Sequence, residues 1–213
     1  MSLMKTLYSS SFLTVIFAFL MLMGQNNMSV NIVQDGSRAS FQTIIEPIGP
    51  VQADPDGRVK LEVFNTFGCQ ECDNFGLGTL PALQEKYANN DQVDFRLYII
   101  PDTGNDGELF AARGAHCSAR HERFWDMVTE LHRLDTLSQR ETDLAGQTLN
   151  LPILEFRNCI KSDEFDQQIG EDISYAQQKG IRQKPTILVN GTMMLGQQPL
   201  ENIDREINKY LKP

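Results

Sequence analysis

The chain has 213 residues, 41% of them hydrophobic, and its 28 acidic and 19 basic side chains give a formal net charge of −9. Binding to nucleic acid requires clustered lysine and arginine to neutralise phosphates, so this charge argues against a nucleic-acid surface. The length and composition suit one globular domain with a sizeable core, preceded by an N-terminal segment of a different kind.

The first 24 residues have the pattern of an export signal. Lys5 is the only charged side chain before Asp35, and within residues 12–23 only Thr14 is not apolar. A cationic start followed by a short apolar run is typical of a secretory signal peptide, although no small-residue cleavage motif follows it. We expect residues 1–24 to be either a cleaved signal peptide or an N-terminal membrane anchor, and the protein to be periplasmic or otherwise extracytoplasmic.

The next segment, residues 25–56, is polar and rich in turn-forming dipeptides such as Asp35-Gly36 and Asp54-Pro55. Such dipeptides interrupt helices and strands. We expect a tether followed by an irregular N-terminal stretch, with a candidate short strand at residues 41–45.

The remaining residues, 57–213, contain the elements of an α/β domain. Alternating apolar residues in RVKLEVFNT predict a strand. Apolar residues at helical spacing then continue to Tyr87, in a helix that Gly78 and Pro81 should weaken or kink. The run VDFRLYII, residues 93–100, predicts a second strand, and a strand–helix–strand order of this length implies a parallel crossover.

No strand pattern occurs between residues 106 and 180, and we expect an all-helical insertion at about residues 103–181. Within it, the spacing of apolar residues predicts helices near residues 124–131, 138–149, 152–161 and 163–179. Strands resume at TILVN, the dipeptide Asn190-Gly191 predicts a hairpin, and the chain ends in an amphipathic helix.

Two of the four cysteines form a C-x-x-C motif, Cys69-Gln70-Glu71-Cys72, where the first strand ends and a helix begins. Free N–H groups and the helix dipole favour negative charge at a helix N-terminus, so the Cys69 thiol should be acidified and exposed. Cys72 lies one turn further and should be more buried, placed to resolve a mixed disulfide on Cys69. The motif therefore predicts a redox-active pair; four cysteines allow three disulfide pairings.

Two other uses of the motif fit the sequence less well. A zinc site needs two further ligands at suitable spacing, and neither Cys117, Cys159 nor the three histidines supply them near the motif. We expect no metal and no other cofactor. A purely structural Cys69–Cys72 disulfide would close a loop too small to add much stability.

Three segments, in this order, resemble the DsbA-like branch of the thioredoxin superfamily. They are the C-x-x-C after a strand, AARGAHCSARHERFWDM (residues 111–127) and GIRQKPTILVNG (residues 180–191). The resemblance covers about residues 57–212. It implies an α/β, thioredoxin-like fold with an all-helical insertion domain, and a thiol–disulfide oxidoreductase that acts on exported proteins.

The resemblance also implies roles for single residues. Cys69 matches the attacking cysteine of the family, Cys72 the resolving cysteine, and Pro185 the cis proline of the active-site loop. Cys117 and Cys159 lie where relatives often carry a second, structural cysteine pair, so Cys69–Cys72 and Cys117–Cys159 are the expected disulfides. The implied partners are unfolded or partly folded exported proteins with thiols and a membrane redox partner, quinone-linked or similar to vitamin-K-epoxide reductase; we expect a monomer.

The dipeptide between the cysteines departs from the family pattern. Strongly oxidising members tend to have Pro and His where this chain has Gln70 and Glu71. An anionic Glu71 should disfavour a thiolate at Cys69, which predicts a less oxidising pair. Lys184, beside Pro185, is expected either to offset this effect by approaching the sulfurs or to point into solvent.

The family's buried acid, often six residues before the first cysteine, is also missing, because that position is Val63. Glu62, one residue earlier, would serve as a proton shuttle only if a β-bulge shifted the strand register; otherwise it should be solvated. Phe67, in the loop before Cys69, is the aromatic residue that we expect to be exposed to clients.

The predicted function is that of a disulfide donor. One alternative uses the same site as a reductase or isomerase, a direction that Glu71 slightly favours. A second alternative is a redox-silent thioredoxin-like interaction domain that keeps the fold and uses its groove.

Overall fold

The computed structural model describes residues 58–211, and the elements below lie within that range. Four strands form one sheet: β1 (Val59–Asn65), β2 (Val93–Ile99), β3 (Thr186–Val189) and β4 (Thr192–Leu195). Eight helices surround it: α1 (Gln70–Leu77), α2 (Thr79–Tyr87), α3 (Asp106–Ala119), α4 (Phe124–Leu131), α5 (Gln139–Thr148), α6 (Ile153–Lys161), α7 (Asp166–Gln178) and α8 (Leu200–Ile207). The signal or anchor at residues 1–24, the tether at 25–56 and the candidate strand at 41–45 lie outside the described residues.

The sheet has the order β2-β1-β3-β4. Strands β1 and β2 are parallel, which confirms the predicted crossover, and β3 runs antiparallel to both β1 and β4. Asn190 and Gly191, with φ values of 46° and 86°, form the turn of the β3–β4 hairpin, and a two-residue turn of this kind requires positive φ at both positions. The α/β, thioredoxin-like architecture predicted from the sequence is therefore present.

The crossover contains two helices rather than the single kinked helix that we predicted. Gly78, at φ −103° and ψ −81°, is the C-cap of α1 and the N-cap of α2. The weakening expected from Gly78 is strong enough to end α1, because a non-helical backbone at one residue interrupts the ladder of i→i−4 hydrogen bonds.

Five helices, α3 to α7, occupy the chain between β2 and β3. Helices α3 to α6 share one hydrophobic core with the odd-numbered residues of β1, such as Leu61 and Val63, and with Phe75 of α1. Phe64 points to the other face of the sheet, where it packs with Ala176 of α7. One face of the sheet, with Leu61 and Val63, therefore packs on α1 and α3 to α6, and the other face, with Phe64, packs on α7. We call them the α1 face and the α7 face. Among residues 58–211, none of the helices is long and apolar enough to cross a membrane.

Candidate active site

The cysteine motif lies at the junction of β1 and α1. Cys69 is the N-cap of α1, with extended backbone angles, and its Sγ accepts a hydrogen bond from the Cys72 N–H at 3.0 Å. Cys69 and Cys72 are joined by a disulfide. Cys69 is half-buried, whereas Cys72 is fully buried. The first sulfur therefore lies among free N–H groups of a helix N-terminus, a position that favours a thiolate once the disulfide is reduced.

The two residues between the cysteines are both exposed. Glu71 is in the first turn of α1, and its carboxylate lies beside Gly196, where an added Cβ would be 3.9 Å from Glu71 Oε2. A negative charge in this place is favourable for the helix but unfavourable for a neighbouring thiolate. Gln70 is the first residue of the helix.

The loop before β3 contributes Pro185. This proline is buried, the Lys184–Pro185 peptide bond is cis, and the Pro185 carbonyl accepts the Gly196 N–H at 2.9 Å. The expectation that Lys184 points into solvent is wrong, and its approach to the sulfurs stays a prediction. Its ammonium donates to the Ile100 carbonyl at 3.0 Å, immediately after β2, so the side chain is tied to the end of the sheet instead of extending into solvent.

Glu62 lies where it cannot serve as the predicted shuttle. Residues of β1 and β2 pair one to one from Val59 with Val93 to Asn65 with Ile99, so no β-bulge shifts the register. The side chain of Glu62 consequently points to the face covered by α7, away from Phe75 and the cysteine helix.

The alternative expectation, that Glu62 is solvated, is also wrong. Its side chain is 1% exposed. Its carboxylate accepts a hydrogen bond of 2.5 Å from the Tyr175 hydroxyl and lies 3.4 Å from the Lys60 ammonium. Burial and this hydrogen bond raise the pKa of Tyr175. The expected alternation of buried and solvated residues fails because α7 covers the second face of the strand.

A polar network that the sequence reasoning missed lies on the cysteine side of the sheet. His132, at the end of α4, is buried, and its Nδ1 is 2.8 Å from Asp73 Oδ1. Asp73 Oδ1 also accepts the Gly68 N–H at 3.2 Å. Asn65 Nδ2 is 3.3 Å from the Cys72 carbonyl oxygen and 3.4 Å from His132 Nε2. The only sign of this network in the sequence is Asn65, a polar residue at the buried end of β1, four residues before Cys69.

The expected exposure of Phe67 is wrong. Phe67 is 2% exposed, and its ring packs on His132 with 4.7 Å between the ring centroids. The exposed large apolar side chains near the motif are instead Leu77 of α1 and Leu195 of β4, at 43% and 53%. Leu195 precedes Gly196, the residue beside Glu71.

The remaining two cysteines form a disulfide between α3 and α6, joining Cys117 and Cys159. Both are buried, in the core that the helices share with the sheet. Neither is the N-cap of a helix, so neither has the electrostatic setting of Cys69.

Known proteins with similar sequences support a thioredoxin-like fold. A family model described as thioredoxin matches residues 47–209. The disulfide bond formation protein D of Bacillus subtilis (strain 168) is 23% identical over 171 residues, which are 76% of this chain and 77% of that protein.

Solved structures have the same fold. Oxidised BdbD from Bacillus subtilis superposes with a TM-score of 0.64 at 21% identity, over 75% of this chain and 91% of that one. DsbA from Chlamydia trachomatis superposes with a TM-score of 0.58 at 18% identity, over 73% of this chain and 88% of that one.

Proposed function

This chain belongs to the thioredoxin family, and from that premise we propose that it is a thiol–disulfide oxidoreductase that donates its Cys69–Cys72 disulfide to exported proteins. The observation that carries the proposal is the asymmetry of the pair. Cys69 is half-buried at the N-terminus of α1, where its sulfur accepts a main-chain N–H, and Cys72 is buried one turn further. One sulfur is thus accessible to a client, and the other can only react with its partner.

The reaction follows from this asymmetry. A client thiolate attacks the Cys69 sulfur, the Cys69–Cys72 bond breaks, and Cys72 leaves as a thiolate that takes up a proton. A second client thiolate attacks the client sulfur of the mixed disulfide and releases Cys69. The client loses two electrons and gains a disulfide, while the cysteine pair gains two electrons. In the reverse direction, Cys69 attacks a client disulfide and Cys72 resolves the intermediate.

The client side of the site has two supporting features. Leu77 and Leu195 present exposed apolar surface on segments next to the motif, as unfolded segments of a client would require. The loop with Pro185 lies beside Leu195, since Pro185 and Gly196 are hydrogen-bonded. Clients are unfolded or partly folded proteins with free thiols.

The location and the partners are part of the same proposal. The apolar stretch within residues 1–24 has the composition of an export signal or anchor, and an extracytoplasmic compartment allows disulfides to persist. As a donor, the reduced pair needs a membrane redox partner that removes two electrons. The cysteines perform the exchange without a metal or organic cofactor, and the protein acts as a monomer.

The reductase or isomerase alternative has one observation in its favour. Glu71 is exposed in the first turn beside Cys69, and a carboxylate there disfavours the thiolate that a strongly oxidising pair stabilises.

Trapping of a client tests the proposal. Cys72→Ala removes the resolving thiol, so reduced protein should accumulate a mixed disulfide between Cys69 and a client disulfide. The matched control, Cys69→Ala, keeps only the buried Cys72 thiol and should trap nothing. Equal yields from both variants would contradict the assigned roles of Cys69 and Cys72. No adduct with either variant would reject the proposed exchange and leave the redox-silent interaction domain.

A further inference from the structure

His132 connects both sides of the cysteine motif. Through Asp73 it reaches the main-chain N–H of Gly68, the residue before Cys69. Through Asn65 it reaches the carbonyl of Cys72. His132 is the C-cap of α4, a helix that belongs to the insertion between β2 and β3 and not to the motif's own strand and helix.

The approach of the ring to α1 is unusually close. A Cβ added to Gly76 would lie 2.1 Å from His132 Cδ2, well inside van der Waals contact. Only glycine fits at this position of α1, one turn after Cys72, while the ring keeps its place. The fold therefore seats the imidazole directly on the helix that carries Cys72.

With Nδ2 of the Asn65 amide turned towards the Cys72 carbonyl and His132 Nε2, one proton arrangement satisfies the network. Asp73 has only acceptors, so His132 Nδ1 carries the proton and donates to it. Asn65 Nδ2 has two N–H groups, which donate to the Cys72 carbonyl and to the bare His132 Nε2. This is a neutral imidazole with both nitrogens bonded.

Protonation of the ring makes this arrangement impossible. A proton on Nε2 would face the amide N–H groups of Asn65, and two donors would then oppose each other. Within the part of the chain that the structure describes, Asn65 Oδ1 is buried and has no hydrogen-bond partner. Rotation of the amide would bring this free acceptor to Nε2–H, and would remove the Asn65 donor from the Cys72 carbonyl.

We propose that His132 is a positioning residue that makes thiol–disulfide exchange at Cys69–Cys72 depend on pH, by switching the Asn65 bond to Cys72 and adding a positive charge beside α1. The inference rests on the proposed function. Histidine is the side chain whose charge ordinarily changes between pH 5 and 8. A cationic ring favours thiolate in the cysteine pair.

The surroundings contain few groups that compete for this role. On α1, Asp73 contacts the ring, and Cys72 is linked to it through Asn65. On α3, Glu108 is bonded to the Thr66 hydroxyl and the Asp102 N–H. On α4 and just beyond it, Glu130 and Arg133 pair with each other. From β2, Leu97 and Ile99 line the same small cavity as His132, and both are apolar.

The test follows the oxidation of the reduced full chain by oxidised glutathione, with acid quenching and mass analysis, between pH 5.5 and 8. In the resolving step, the Cys72 thiol loses its proton, attacks Cys69 in the mixed disulfide and releases glutathione thiolate, which takes a proton at these pH values. The ratio of the wild-type rate to the His132→Asn rate removes the pH dependence of glutathione itself. We expect this ratio to be about fivefold higher at pH 5.5 than at pH 8, because a positive charge on the ring at the lower pH favours the Cys72 thiolate, and a nearby, partly screened charge has an effect of about this size.

Two further variants separate a titrating role from a structural one. Asp73→Asn keeps an acceptor for Gly68 and for the ring but removes the charge that supports the cation, so its pH profile should shift to lower pH. His121→Gln removes a histidine that lies 3.8 Å from Glu155 and has no part in the network of Asn65, Asp73 and His132 described above, and should match the wild type at every pH. If His132→Asn failed to fold, the shift in Asp73→Asn would still test the inference.

The outcomes are distinct. A wild-type chain that cycles while the ratio stays flat, or Asp73→Asn with an unshifted profile, would overturn the role of His132 alone. A wild-type chain that is not oxidised at any pH would overturn the proposed function and this inference with it.

Discussion

Cys69 Sγ lies 3.0 Å from the main-chain nitrogen of Cys72 and accepts its hydrogen bond, while Cys72 itself has no exposed surface. After reduction, the bond favours the thiolate of Cys69, and burial protects Cys72. We therefore expect iodoacetamide to modify Cys69 at least about ten times faster than Cys72 in the reduced protein. Peptide mass analysis of a time course measures both rates, and equal labelling would contradict the assigned roles.

Glu71→Gln should make the pair more oxidising. Its carboxylate is exposed in the first turn of α1, where it opposes the negative charge that the helix N-terminus favours on Cys69. Removal should lower the pKa of the Cys69 thiol and increase the equilibrium ratio of reduced to oxidised pair by about threefold in a glutathione buffer, because an exposed charge is partly screened. Glu85→Gln, at an exposed position of α2, is the control and should not change the ratio.

Glu62→Gln should weaken the fold and leave the exchange rate unchanged. The carboxylate is buried against Tyr175 and Lys60 on the α7 face of the sheet. Loss of a charge-assisted hydrogen bond costs about 1–3 kcal/mol of unfolding free energy. Urea unfolding and glutathione oxidation of Glu62→Gln, Tyr175→Phe and the double variant measure both properties. A slower exchange at unchanged stability would restore Glu62 as a proton shuttle.

The disulfide between Cys117 and Cys159 should stabilise the helical insertion without taking part in exchange. It closes a loop with a sequence separation of 42. Loop entropy gives about 4 kcal/mol as an upper value for such a crosslink. The double variant Cys117→Ala/Cys159→Ala should lose stability in urea by up to this amount and keep its rate with glutathione. A lost rate in a protein that remains folded would point to a second redox pair.

Asp172 should make stability fall as pH rises towards 7. Burial raises the pKa of the Asp172 carboxyl to about 7, from its ordinary value of 3.8. Between these values the folded state binds one more proton than the unfolded state, so the stabilisation is complete below pH 4 and is lost as pH rises through 7. Asp172→Asn should therefore be more stable than the wild type at pH 8, by on the order of 3 kcal/mol, and by less at pH 5. Urea unfolding at both pH values checks this, and Asp163→Asn, at an exposed aspartate, should show no such difference.

Local sequence patterns determined the features of the fold that were predicted well. The C-x-x-C at the start of a helix, the parallel crossover and the Asn190-Gly191 hairpin each depend on residues close together in the chain. Their physical causes act over a few residues or over one strand–helix–strand unit. These causes are the free N–H groups at a helix end, the φ requirement of a tight turn and the hand of crossovers.

The features that were missed depend on contacts between distant segments. Asp73 and His132 are 59 residues apart, and no spacing rule brings α4 to the cysteine motif. The sequence around Glu62 predicts a solvated strand residue, because it does not show that α7 covers that face of the sheet. The sequence around Phe67 predicts an exposed loop residue, because it does not show that the ring packs on His132. A strand pattern reports which residues alternate, but it cannot tell whether the second face will also be covered.

The measurement that tests the central claim most directly is the equilibrium of the Cys69–Cys72 pair of the full chain in glutathione buffers, with free thiols counted by alkylation and mass. The account predicts reversible two-electron cycling of this pair, with Cys117 and Cys159 remaining oxidised, and a potential above the glutathione poise, as a disulfide donor requires. A potential near that of reducing thioredoxins, about −270 mV, would make the protein a reductase. A pair that does not cycle at all would contradict the enzyme function.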